Sequence, residues 1–297
     1  MITNQINALI SLIEDPDEII FSQVKSEIKN YGAEIIPKLE KEWETSSFGP
    51  LYRERIEKLI QSIQLESVSG KMKDWHNSEE KDLLEGALLI NQFQYPSYDT
   101  DLIKKEISRI RQDVWLELND NLTGFEKVRI MNHILFNVHG FSGNKSNYTS
   151  PNNSFIGDVL SGKKGSPLSL AILYQVLANS LDIPIYGVNL PNHFILCYMD
   201  EHGIASMLDE TVAENGILFY INPFSDGTVI HKNEIDEFLF HLNLPEKVKF
   251  YKPCDNSDII NRLINNLIFG FQEKGDEIKV EGLRELQNIF VKLKTRS

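Results

Sequence analysis

Few residues of this chain could do acid–base or nucleophilic chemistry. His193 sits in Leu190-Pro191-Asn192-His193-Phe194, and an imidazole there could accept a proton near neutral pH. A lone histidine in apolar company is, however, ordinarily a structural residue. The chain has two cysteines. Cys197, inside the run Phe194-Ile195-Leu196-Cys197-Tyr198, reads as a small hydrophobe in a buried strand. It shares a strand face with His193 but lies roughly 13 Å along it at about 3.3 Å per residue, too far for a dyad. Cys254 follows Pro253 in a loop with no histidine near it in sequence. Two cysteines in a chain of this length form no disulfide framework. Asp200, His202, Asp209 and Glu210 make a loose acidic group without the His or Cys spacing that closes a zinc site, so no metal is expected. Gly162-Lys163-Lys164-Gly165 is a basic turn that could attract an anion before a helix, though an exposed turn is the simpler reading. Phosphate-cradling glycine loops are missing, and no cofactor is expected.

The elements that must position these residues are mostly helices. Ile6, Leu9, Ile10 and Ile13 repeat at helical spacing and stop at Asp15-Pro16-Asp17, which carries its own helix-start chemistry. Further stripes follow at Ile19, Ile20, Val24 and Ile28, at Ile35, Ile36, Leu39 and Trp43, and at Leu51, Ile56, Leu59, Ile60 and Ile63. Gly32 fits a helix end. This spacing suits either a HEAT-like repeat or a plain helical subdomain. Helical periodicity continues to Gly140, through Leu83–Leu89, Leu102–Val114 and Val128–Val138. Residues 141–154 are a polar, turn-rich loop, long enough to suggest a function. Beyond it the texture predicts a helix over 167–181 and strands over 185–188, 193–199 and 217–221. The tail from Asp255 reads as a helical hairpin broken at Gly275-Asp276. The fold class is therefore α+β, mostly helical with a small antiparallel sheet.

Bulk properties narrow the partners. The formal net charge is −13, which repels phosphates, so neither nucleic acid nor an anionic membrane surface is expected as a partner. The N-terminus has no basic region followed by an apolar stretch, and no apolar run is long enough to span a bilayer, which gives a cytoplasmic expectation.

The stretch from Asn132 to Gly227 holds the informative order of short motifs. They are Asn132-His133-Ile134-Leu135-Phe136, Gly140-Phe141-Ser142-Gly143-Asn144, Asn153-Ser154, the run from Gly165 to Tyr174, Leu181-Asp182-Ile183-Pro184, the run from Leu190 to Leu196, and Ile221-Asn222-Pro223-Phe224. The string resembles the bacterial SirB-type branch of the transglutaminase-like superfamily over about 100 residues. The C-terminal hairpin is similar to that branch's tetratricopeptide-like tail. The resemblance implies a papain-like core over 131–250, between an N-terminal helical region, 1–130, and the hairpin, 251–297.

Enzymes of that superfamily use Cys, His and Asp. The cysteine stands at a helix N-terminus that favours a thiolate, the histidine takes the proton, and the acid orients the ring. Their nucleophile motif, Gly-x-Cys-x-x-apolar-Ala, puts the cysteine 17 residues before the proline of a Gly-Ile-Pro-like turn. Here Gly165, Leu170, Ala171 and Pro184 fit, and counting back 17 residues gives Pro167. Carried over in this way, the histidine position is His193, beside Asn192, and the acidic position is Asn222. Proline is comfortable at a first helical position, with Ser166 as the N-cap. Ser169 points away from the direction of residue 167, because a helix turns about 100° per residue. Ser166, Ser169, Asn192 and Asn153 are the possible supporting residues. The resemblance implies a non-catalytic member that binds a peptide or protein. The alternative is a hydrolase or acyl transferase in which His193 activates a serine or a water.

Overall fold

The structure is a computed structural model that describes residues 2–45, 49–200, 216–245 and 247–291, with side chains from Gln5 onward. The chain divides into two compact units, Met1–Asp74 with Gln92–Tyr98, and Trp75–Asn91 with Asp99–Ser297.

The first unit is helical. It contains α1 (Ile2–Ser11), α2 (Glu18–Lys29), α3 (Ile36–Thr45) and most of α4 (Pro50–Asn77). Asp17 caps α2, its carboxylate accepting the Ile19 N–H at 2.8 Å. Ile13, Ile28, Leu39, Ile56 and Leu59 close the core. Arg55 is buried against it, and both terminal nitrogens of its guanidinium are bonded. Nη1 donates to the carbonyls of Ile13 and Asp15, and Nη2 pairs with Glu18 at 2.7 Å.

The second unit is α+β. Its helices are α5 (Leu83–Gln94, as far as Asn91), α6 (Thr100–Glu117), α7 (Gly124–Asn132), α8 (Ile156–Gly162), α9 (Pro167–Asn179), α10 (Lys232–His241), α11 (Asn256–Lys274) and α12 (Glu277–Val291). α7 runs on as a π-helical turn over His133–Val138. β1 (Ser142–Gly143) pairs in parallel with β2 (Lys164–Gly165). β3 (Ile185–Val188), β4 (Ile195–Met199), β5 (Ile217–Asn222) and β6 (Thr228–Ile230) form an antiparallel sheet in that order.

α9 is apolar all round and buried over nearly its whole length, as a central helix must be. It packs on β3 and β4. Val188, Ile195, Cys197 and Tyr220 give the sheet an apolar face, which Ile235 and Leu239 of α10 cover. α11 and α12 pack as a hairpin, turned at Gly275 with φ +73°. α11 also lies against the 149–151 backbone, since a Cβ on Gly270 would stand 2.8 Å from the Thr149 carbonyl.

Several sequence expectations need correction. The strand expected from His193 begins at Ile195, because Leu190-Pro191-Asn192-His193 is a tight turn. The 162–165 segment is not a free basic turn. Lys163 takes the left-handed cap of α8 (φ 54°), its Nζ pairs with Glu106 at 3.1 Å, and Lys164–Gly165 is a strand. The 141–154 segment is partly ordered, as β1 and a 3-10 turn over Pro151–Asn153. β6 and α10 are elements beyond those the sequence pattern predicts. Of the loose acidic group, His202, Asp209 and Glu210 lie outside the described residues, and no metal-holding cluster occurs among those described. No helix among the described residues is long and apolar enough to cross a membrane.

Candidate functional site

Pro167 is the first residue of α9, where its missing N–H costs nothing. Ser166 and Ser169 form a reciprocal cap: Ser169 N–H donates to Ser166 Oγ at 3.1 Å, and Ser166 N–H donates to Ser169 Oγ at 2.9 Å. The Ser169 hydroxyl donates onward to the Asn153 carbonyl at 2.5 Å. Both serines are buried, and their hydroxyls are occupied in holding the helix start. Gly165 precedes them because a Cβ there would stand 2.7 Å from Ser169 Oγ.

Asn153 organises the loop below. Its Nδ2 donates to the carbonyls of Asn147 and Tyr148, its Oδ1 accepts from Asn144, and its own carbonyl also accepts the Ser166 N–H at 3.1 Å. At 3% exposure it acts as a buried bracket between the 141–154 loop and α9.

His193 follows a turn built by its sequence. Proline fixes one φ and Asn192 adopts φ +57°, which asparagine tolerates, so the His193 N–H can close on the Leu190 carbonyl at 3.3 Å. The β4–β5 register, Leu196 opposite Ile221, puts Asn222 beside Ile195 at the start of β4, next to the turn that ends at His193. The Asn222 side chain hydrogen-bonds the His193 ring. Asn222 itself is held by the Phe224 N–H, which donates to its Oδ1 at 3.1 Å. The ring of Phe238 flanks His193 with centroids 6.2 Å apart. Burial lowers the His193 pKa from its ordinary value of 6.5, the Asn222 bond opposes that, and the nearby Arg262 charge adds to it. Among the described residues no serine hydroxyl bonds the ring.

Both thiols are protonated at neutral pH. Burial pushes Cys197 and Cys254 each up to about 12.

The structure brings Ser166, Pro167, Asn192 and His193 to the rim of one open cleft of about 430 Å³. Ser169 and Asn153 lie beneath it, and Asn222 backs His193 from the sheet. The cleft has a second wall that the sequence reading missed. Arg262, Asn266 and Phe269 lie at helical i, i+4, i+7 spacing on α11 and face it, with Tyr148 and Ser154 from the loop. The stripe read along that helix was the apolar one, and nothing local marks its polar side as site-facing.

Residues 101–265 match the transglutaminase-like superfamily. A UPF0162 protein of Xylella fastidiosa (strain 9a5c) is 28% identical over 191 residues, covering 62% of this chain and 63% of that protein. A UPF0162 protein of Vibrio cholerae is 27% identical over 186 residues, covering 61% of this chain and 63% of that protein. Human F-box only protein 21 is 25% identical over 163 residues, which cover 54% of this chain and 24% of that protein. The match thus spans a little under two thirds of the Xylella and Vibrio proteins' own lengths. No solved structure matches the chain.

Proposed function

From the premise that this chain belongs to the transglutaminase-like superfamily over residues 101–265, we propose that it binds a peptide or protein segment in the His193 cleft and does not catalyse acyl transfer. One observation carries this reading. The helix start that would present a sulfur nucleophile begins instead with Pro167, and the two serines beside it have their hydroxyls tied into the cap. A nucleophile must meet its base within hydrogen-bond reach. His193 has Asn222 as its bonded side chain, and both cysteines are held as thiols by burial.

Within this reading the chain is a SirB-type member with a papain-like core over 131–250, flanked by helical regions 1–130 and 251–297 that offer partner surfaces. A cytoplasmic setting fits the free thiols. The test combines two assays on the full chain. Peptide pools should bind and perturb the His193 ring resonances, while amine-transfer and ester-hydrolysis rates stay at the level of His193→Ala. Turnover that His193→Ala abolishes would overturn the non-catalytic reading.

A second reading has one observation in its favour. His193 is neutral at neutral pH and keeps an orienting amide, which is the state a general base needs. On that reading the chain is a hydrolase or acyl transferase using a water, or a cleft serine such as Ser154. The same turnover assay separates the two.

A further inference from the structure

We propose that Arg262 is the anchor of the cleft and that it selects a peptide bearing a carboxylate, by pairing that group with the open edge of its guanidinium. This deepens the binding reading above and rests on it.

The argument starts from what holds Arg262. Its Nη1 donates to Asn189 Oδ1 and to the Leu190 carbonyl. Both hydrogens of Nη1 are spent, which locks the guanidinium beside the turn that delivers His193. Nε and Nη2 donate to nothing among the described residues. Three N–H groups therefore remain, and two of them, on Nε and Nη2, lie parallel on one edge, in the geometry that takes an oxyacid group with two parallel bonds.

The charge is also unbalanced. Arg262 is partly buried, with Phe194 packed 5.7 Å from it, and forms no salt bridge among the described residues. Its electrostatic neighbours are the Cys254 thiol, which burial keeps protonated, and the Tyr148 phenol, and neither is a carboxylate. The fully buried guanidinium described in this chain, Arg55, has its carboxylate in Glu18 at 2.7 Å. A desolvated cation without a counter-ion costs stability unless a ligand supplies one. In a chain of net charge −13 the missing partner is not for want of acids.

The lining decides which anion. Among the described residues no lysine, second arginine or carboxylate lines the cleft, while the Ser154 hydroxyl and the Asn266 amide do. Dianionic phosphate groups are usually met by clusters of arginines. One guanidinium with neutral hydrogen-bonding neighbours matches a monoanion. The volume, about 430 Å³, is that of a small-ligand or short-peptide site.

The test uses four pools of N-acetylated tripeptides on the full native chain, read by the Arg262 Nε–Hε NMR cross-peak and by affinity. The first pool lacks Asp and Glu and has a free C-terminal carboxylate. The second is the same pool as amides. The third is amidated with a central Asp or Glu, and the fourth amidated with a central phosphoserine. Either the first or the third pool should bind at least about tenfold more tightly than the second, and which one does so identifies the carboxylate as main-chain or side-chain. Arg262→Lys keeps the charge but loses the fork, and should erase most of that preference. Equal binding of the first three pools would sink this proposal while leaving the peptide-binding reading intact. Tightest binding of the phosphoserine pool would overturn the choice of carboxylate. Silence from all four would remove both readings. The pool comparison needs no variant, so a misfolded Arg262→Lys leaves the question answerable.

Discussion

Ser169 donates its hydroxyl hydrogen to the backbone carbonyl of Asn153 across 2.5 Å while accepting the Ser166 N–H at 2.9 Å. This one hydroxyl joins the α9 start to the loop beneath it. Ser169→Ala removes the link inside a buried site and should cost about 1–3 kcal/mol. Urea denaturation should show the midpoint falling. Peptide affinity should stay near native, because Ser169 does not line the cleft. A large affinity loss at unchanged stability would contradict the assignment of Ser169 to structure.

Pro167 stands where a thiol would feel the positive end of α9. Pro167→Cys should therefore create a cysteine that iodoacetamide alkylates at neutral pH. Helix N-termini and histidine partners lower thiol pKa values by roughly 1–5 units from the free value of about 8.5. Cys197 and Cys254, held near 12, should react far more slowly. Mass spectrometry of tryptic peptides reads all three sites in one experiment. A residue 167 thiol as inert as the native two would mean that this helix start does not present its first side chain to the cleft.

His193 and His76 should make stability depend on pH. Burial is the largest cause of the lowered value in each. Arg262 adds to it at His193 and Lys81 at His76, while Asn222 and Asp255 respectively oppose it. Between the depressed folded value and the ordinary 6.5, the unfolded chain carries more protons than the folded one, so unfolding free energy rises with pH. Their contribution is complete above that ordinary value, shrinks as pH falls through the window, and levels off below the folded values. Thermal melts across the window should show this slope, and His193→Gln should flatten part of it. An unchanged slope would argue that His193 is not desolvated.

Gly227 follows the Asn222 turn at φ +73°, and a Cβ there would stand 1.9 Å from Asn132 Oδ1. Asn132 needs that closeness. Its Nδ2 donates to the Gly227 carbonyl at 2.8 Å, and its Oδ1 accepts the Tyr174 hydroxyl at 3.0 Å. Gly227→Ala combines left-handed strain with this clash and should cost upward of about 2 kcal/mol. Adding Asn132→Ala should cost less than the sum of the two changes, since the clash goes with the amide. Strict additivity in denaturant melts would place the two residues out of contact.

Much of this architecture was legible locally. Asp17 before α2 and Ser166-Pro167 before α9 declare helix starts through capping chemistry that needs no tertiary information. The β3 and β5 segments announce themselves by short β-branched and aromatic runs. By contrast β1, β2 and β6 are two or three residues long, and they become strands only because a partner is there to bond them. Lys163 looked like part of a free basic turn because Glu106, its partner, lies 57 residues earlier.

The sequence by itself determined which chemistry is missing: no thiol can come from Pro167, and no arrangement of the chain changes that residue type. It also favoured the turn that carries His193, since proline's ring fixes its own φ and asparagine tolerates the left-handed backbone better than most residues. Only the tertiary structure decided that Asn153 is a buried bracket and that Arg262 looks into the cleft. Arg262 meets Asn189 across 73 residues of chain. Which side of an amphipathic helix faces a site depends on what packs against the opposite side. That is a property of the assembled core, and no local sequence pattern contains it.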